Sequence, residues 1–137
     1  MLERSIHDNR VVSCEVDGEG RRIVLHTRFD ERTPVEYTDL IFEGVLAYHF
    51  ENDNFGNILF GLEEVPVAEL VAGYRTLFEE GSKYARPGSW NESPEASIDH
   101  FRSHAAKAFE LSSSYGLAGW VIGESYRVEA APGERAV

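Results

Sequence analysis

The sequence predicts an α+β domain: a mostly antiparallel sheet of about six to seven strands, beginning with an N-terminal meander, and two helices packed on one face. Two observations support this class. Period-two alternation of apolar residues fills the first half of the chain, and apolar residues at helical spacing are confined to the segment that follows. Segregated strands and helices, as opposed to strictly alternating ones, are typical of α+β folds.

The first two strands are predicted as a hairpin over residues 10–16 and 21–29. Its linker, DGEG, carries the glycines that a turn with positive φ requires. In the first strand Val12, Cys14 and Val16 alternate with polar neighbours, so we expect Cys14 to point into the core as an unreactive thiol.

Residues 35–51 predict two further strands or one long bent strand, because Gly44 interrupts the pattern. Turn residues then lead to a strand over residues 57–64. These segments complete an antiparallel meander of about five strands.

One helix is predicted from Pro66 to Gly81, with a single apolar stripe. Ser93 and Pro94 have the residue types of an N-cap and a first helical position, so a second helix is expected from residue 94 to about residue 105. Strands over residues 107–113 and 119–129 follow. We therefore expect a single domain over residues 1–129 and a flexible C-terminal tail over residues 130–137.

The chain is acidic, with 24 Asp and Glu against 13 Lys and Arg and a formal net charge of −11. Such a charge disfavours nucleic acid and anionic lipid and favours a basic protein partner, although it also serves solubility alone. The single cysteine, the lack of an apolar stretch long enough to span a bilayer and a polar N-terminus predict a cytoplasmic protein.

The chain has five histidines, which are candidates for chemistry. His100 and His104 stand four residues apart on the second helix and could reach one metal ion, but Phe101 occupies the position where a zincin needs Glu. His26 and His49 are expected at the edge of the core, bonded to carbonyl groups. The sequence therefore predicts no catalytic, cofactor-binding or metal-binding residue and no cofactor.

Trp90 lies in a predicted loop over residues 82–93 among Pro87, Gly88 and Asn91. A tryptophan in a loop either anchors that loop on the core or serves as a contact residue for a partner. We favour the anchoring interpretation.

Two stretches, TDLIFEGVLAYHFENDNFGNILFGLEEV (38–65) and FELSSSYGLAGWVIGES (109–125), resemble a group of short uncharacterised bacterial proteins. The resemblance covers most of the chain and implies no established activity. In size, acidity and strand-then-helix order, the sequence is also similar to small immunity proteins of bacterial toxin systems.

Three functional hypotheses follow. The first is an acidic interaction module, such as an immunity or inhibitor protein that binds a basic partner, for example a toxin. The second is a small-molecule-binding or enzymatic domain with a pocket between sheet and helices, and the third is a structural or homo-oligomeric module. The residues proposed to line the pocket are all aromatic or histidine: Tyr37, Tyr48, His49, Tyr74 and Trp120.

Overall fold

A computed structural model describes residues 5–31 and 33–131, which form one antiparallel sheet of eight strands and three helices. The elements in chain order are β1 (Arg10–Asp17), β2 (Arg22–Phe29), β3 (Glu36–Glu43), β4 (Ala47–Glu51), β5 (Ile58–Val65), α1 (Val67–Gly73), α2 (Arg75–Ser82), α3 (Pro94–Ser103), β6 (Lys107–Tyr115), β7 (Ala118–Gly123) and β8 (Ser125–Ala130). The α+β class is confirmed. The predicted counts of six to seven strands and two helices are each one or more too low.

The extra helix arises from a break in the segment that was predicted as one helix. Tyr74 has φ −113° and ψ 27°, so α1 ends before it and α2 begins after it. The preceding Gly73 is a weak helix former, which makes a break at this point inexpensive. The apolar stripe continues across the break, and its periodicity therefore gave no sign of it.

The sheet curls until its two ends meet. The strand order is β4-β7-β6-β5-β1-β2-β3-β8, yet β4 continues β3 along the chain and β8 continues β7. Pairing passes from the β3–β8 ladder to the β4–β7 ladder through a hydrogen bond from the Glu124 amide to the Glu43 carbonyl, at 3.0 Å. The last predicted strand is accordingly two strands, divided at Glu124.

Gly44 lies at the bend between β3 and β4 and has φ +61°. A β-carbon there would stand 2.6 Å from the Glu124 β-carbon, so the bend requires glycine both for its backbone conformation and for space. The predicted interruption of the 35–51 segment at this glycine is confirmed.

The curl creates two apolar cores. The inner core fills the space enclosed by the sheet, with Phe42 and Phe109 as its largest neighbours at 6.1 Å between ring centroids. The outer core lies between the helices and the outer face of β4, β6 and β7, where Phe78 stacks on Trp120 at 5.6 Å. All three helices contribute to this outer core, as expected for helices on one face.

Cys14 faces the side of the sheet that was predicted, but the prediction that it is buried in the core is wrong. Cys14 and Val16 lie opposite Leu25 and Ile23, on the same side of the sheet as the inner core, but both are exposed. The reason is that β1 pairs with β5 only at Arg10, so its second half extends past the core.

The surroundings of Cys14 nevertheless disfavour its thiolate form. Although the residue is exposed, partial desolvation by neighbouring atoms, followed by the carboxylates of Asp53 and Glu15, raises the pKa of this thiol. A raised pKa leaves little thiolate at neutral pH. The low thiolate fraction therefore arises first from partial desolvation and then from the two carboxylates, although the side chain is not buried in the core.

The predicted start of α3 is confirmed, because local side-chain chemistry determines it. Ser93 caps α3, its hydroxyl accepting a hydrogen bond from the Ala96 amide at 3.1 Å, and Pro94 is the first helical residue. Ala130 is the last residue of β8, and most of the predicted tail, residues 132–137, lies outside the described residues.

Candidate ligand-binding cleft

A cleft of about 820 Å³ opens where the curled sheet bends, between the β1–β2 hairpin, β4 and α2 with the loop that follows it. Its volume falls within the range of small-molecule sites, roughly 300–1,000 Å³. The side chains that matter for its chemistry are Val16, Arg21, Arg22, Tyr48, His49, Leu77, Tyr84, Arg86 and Trp120.

Trp120 of β7 contributes to the apolar base of the cleft. It is 1% exposed, stacks on Phe78, and lies 6.1 Å from the His49 ring between centroids. Within the described residues its indole N–H has no hydrogen-bond acceptor. Leaving a buried donor unsatisfied costs about 1–3 kcal/mol, so this group is an unusual feature of the site.

The walls of the cleft are apolar to an unusual degree. Eight large hydrophobic side chains are exposed among the described residues, and four of them line this cleft: Val16, Tyr48, Leu77 and Tyr84. Single exposed apolar residues are normal, whereas a concentration of them around one concavity is typical of a binding surface.

Three arginines also line the cleft, and none of them forms an ion pair with a described carboxylate. Arg21 donates from Nη1 to the Val45 carbonyl at 3.4 Å, and the Arg86 guanidinium lies 5.8 Å from the centre of the Tyr84 ring. Two acidic residues share the lining, but Asp17 accepts a hydrogen bond from the Gly20 amide and Glu80 pairs with Lys83.

The loop that carries Tyr84 and Arg86 is fixed by Asn91. This side chain is 1% exposed; its amide donates to the Phe78 carbonyl at 2.8 Å and to the Arg86 carbonyl at 2.6 Å. Its oxygen accepts a hydrogen bond from the Ser97 hydroxyl at 2.7 Å. One wall of the cleft is thus attached to both α2 and α3.

Trp90 supports the same loop. It stacks on His100 at 4.4 Å with an interplanar angle of 9° and meets Phe101 edge-on at 4.8 Å. The side chain is half-buried against the outer core, which is the anchoring arrangement favoured from the sequence.

The structure brings together three of the five predicted pocket residues. Tyr48, His49 and Trp120 line the cleft, while Tyr74 packs behind it against His49 and Trp120. Tyr37 is not part of the cleft, because it lies opposite Arg28 in the β2–β3 ladder, toward the far end of that pair.

Sequence reasoning missed the three arginines and Tyr84. The only sequence signal was weak: an Arg21-Arg22 pair directly after a turn, and a tyrosine and an arginine two residues apart in a loop. Neither pattern distinguishes a binding site from ordinary surface residues.

Both strand histidines contact carboxylates, and the predicted carbonyl partners are wrong. His26 is buried, with Nδ1 at 2.8 Å from the Asp39 carboxylate and Nε2 at 3.3 Å from that of Glu15. His49 lies 3.4 Å from the Glu51 carboxylate. The partners of His26 lie on the neighbouring strands β1 and β3, whose register the local sequence does not specify, whereas Glu51 follows His49 by two residues on the same strand.

His100 and His104 lie side by side, with ring centroids 4.6 Å apart. Partial burial and then the neighbouring His104 lower the pKa of His100 below its ordinary value. Over the described ranges, no group of three His, Cys, Asp or Glu side chains is arranged to hold a metal ion. The two rings are adjacent because they stand four residues apart at the end of α3, and His100 also stacks on Trp90.

Comparison of the chain with protein-family models, curated proteins and solved structures finds no match. Residues 5–31 and 33–131 include no helix with the length and apolar character needed to cross a bilayer.

Proposed function

We propose that the protein is a small-molecule-binding domain and that the cleft is its ligand site. The observation that carries this proposal is the concentration around one cleft of four of the eight exposed large apolar side chains among the described residues. Apolar walls combined with a few polar groups are the usual composition of ligand pockets.

Energetics support a ligand more than a structural role for these residues. Each exposed apolar side chain forgoes the stabilisation that burial would give, about 25 cal/mol per Å². A bound molecule would cover Tyr48, Leu77 and Tyr84 together. The fixed position of the loop that carries Tyr84 means that little ordering would be needed on binding, which favours affinity.

A screen of small molecules by thermal shift, followed by titration monitored through tryptophan fluorescence, tests the proposal. We expect ligands that raise the unfolding temperature and whose affinity falls about tenfold in Tyr84→Ala, since an aromatic contact is lost. Trp120→Phe removes the indole N–H and should weaken the same ligands while leaving Trp90 as the fluorophore.

Tyr115→Ala is the matched control for this experiment, because Tyr115 is 57% exposed compared with 71% for Tyr84 but does not line the cleft. Ligands that bind Tyr84→Ala and Tyr115→Ala equally well, or a broad screen with no ligand at all, would refute the proposal.

A second candidate function is the acidic interaction module, such as an immunity or inhibitor protein. One specific observation favours it: Glu63 and Glu110 lie directly opposite each other in the β5–β6 ladder, and both are exposed. Like charges in opposed positions destabilise a sheet. Glu110, with Glu51, also contributes to the raised pKa of Tyr74, after the larger effect of burial.

Affinity capture from native lysate at low and high salt, read by mass spectrometry, tests this second function. A basic protein recovered at low salt and lost at high salt is expected, because screening weakens exposed charge pairs. Glu63→Gln combined with Glu110→Gln should reduce its recovery. Capture that is insensitive to both salt and this double substitution contradicts an electrostatic interface at β5–β6.

A further inference from the structure

The basic side chains that form no ion pair are concentrated in the cleft. Among the ten basic side chains that the structure describes, five have a carboxylate within 4 Å: Arg10, Arg28, Arg75, Lys83 and Arg127. The other five form no ion pair with described residues, and three of these, Arg21, Arg22 and Arg86, line the cleft.

Such a concentration is unexpected in this chain. Acidic residues outnumber basic ones by 24 to 13, so a cation placed at random on the surface has many potential partners. The cleft lining carries three guanidinium groups against the carboxylates of Asp17 and Glu80, and Glu80 is paired with Lys83, so positive charge is in excess there in a protein whose overall field is negative. Anions are therefore disfavoured by the protein as a whole and favoured inside the cleft.

The backbone that carries these arginines is well fixed. Arg21 has φ +50°, and it is held to Val45 twice: its side chain donates to the Val45 carbonyl, and its own carbonyl accepts from the Val45 amide at 2.9 Å. Arg22 is the first residue of β2, and its backbone lies opposite that of Asp17 in the β1–β2 ladder. Arg86 is fixed through its carbonyl by Asn91 and through its amide by Gly81.

Arginine and tyrosine together specify the chemistry of the ligand. A guanidinium group binds a carboxylate or phosphate in a bidentate manner and tolerates an adjacent aromatic face, as Arg86 does with Tyr84. Tyr48 and Tyr84 offer exposed rings against which a planar group can stack.

We propose that the cleft recognises a small organic anion, a phosphate or carboxylate that carries a planar group, with Arg21, Arg22 and Arg86 binding the charge and Tyr48 and Tyr84 contacting the ring. This inference rests on the proposed function, since it specifies the ligand class of the same cleft. The volume of about 820 Å³ accommodates a molecule of nucleotide size or smaller.

Matched pairs of an anion and its uncharged counterpart test the inference on the full chain at low ionic strength. The probes are adenosine 5′-monophosphate with adenosine, 1-naphthyl phosphate with 1-naphthol, and indole-3-acetate with indole-3-acetamide. We expect at least one anion to bind about tenfold or more tightly than its neutral partner, and the preference to weaken as salt is raised. Comparison of the two phosphate pairs with the carboxylate pair shows which of these anionic groups the cleft prefers.

Substitution of the arginines assigns the site. Arg22→Gln and Arg86→Gln should each lower the affinity of the preferred anion about tenfold and leave that of the neutral counterpart nearly unchanged. Arg102→Gln and Lys107→Gln are the matched controls, because both side chains are unpaired in the described structure but lie outside the cleft. Thermal unfolding of each variant confirms that it is folded.

Equal affinity for both members of every pair would overturn the anion inference while leaving the cleft as a ligand site. Binding of no probe to the unsubstituted protein would also overturn it, and the broad screen would then decide separately whether the cleft binds uncharged molecules. An anion preference that survives Arg22→Gln and Arg86→Gln places the charge recognition elsewhere and likewise refutes the assignment.

Discussion

Replacing Gly119 with alanine is expected to destabilise the protein by about 4 kcal/mol or more, a loss large enough to prevent folding of many domains. Gly119 has φ +151°, and a β-carbon there would stand 1.9 Å from the His49 carbonyl oxygen. The clash is with backbone, in the ladder that joins β4 to β7, so no side-chain rotation relieves it. The cleft residues His49 and Trp120 would move with it.

Urea unfolding monitored by circular dichroism measures this effect, with Gly61→Ala as the matched control. Gly61 is also a strand glycine, but its β-carbon would meet no atom within 4 Å. We expect the control to stay within about 0.5 kcal/mol of the unsubstituted protein. Equal unfolding midpoints for the two variants would show that the close approach of β4 and β7 does not exist in solution.

Replacing His26 with leucine is expected to cost about 3 kcal/mol of unfolding free energy. His26 and Asp39 are 6% and 5% exposed, and the substitution removes the imidazole that lies 2.8 Å from the Asp39 carboxylate. Removing one partner of a buried pair leaves the other partner's desolvation incompletely offset, which is the costly case.

A double-mutant cycle with Asp39→Leu separates the pair from general packing effects. Because the doubly substituted protein has no buried charge at this position, we expect it to be more stable than the sum of the two single losses predicts. The exposed pair of His7 and Asp8, at 3.1 Å, is the control, and His7→Ala should change stability by less than about 0.5 kcal/mol. Strict additivity at His26 and Asp39 would contradict a coupled buried pair.

The two proposed functions involve different residues and so can be tested independently. Neither Glu63 nor Glu110 lines the cleft, and the arginines of the cleft do not lie on β5 or β6. A protein partner lost after substitution at β5–β6 but retained in Arg86→Gln would assign binding to the acidic face. The reverse result would make the cleft the functional surface.

The sequence by itself determined the features that depend on near neighbours. The N-cap and first residue of α3 follow from Ser93 and Pro94, because a hydroxyl cap and a proline at the first helical position act within one turn. The β1–β2 hairpin follows from alternation and a glycine-containing turn, and the bend after β3 follows from Gly44. From such local signals the α+β class could be inferred with most element positions.

Tertiary structure decided everything that depends on residues distant in the chain. The apolar periodicity passes unchanged through the helix break at Tyr74 and the division of the last strand at Glu124, so neither could be located from the sequence pattern. Exposure of Cys14 follows from how far β5 accompanies β1.

The cleft is the clearest example of a feature that depends on residues distant in the chain. It joins Arg21, Tyr48, Arg86 and Trp120, which are separated by tens of residues and carried by four different segments. Each of these side chains has an ordinary local setting, and only strand register and the anchoring of one loop by Asn91 place them around a common space. Local sequence patterns contain no information about such convergence, because it arises from long-range contacts that form only when the sheet closes.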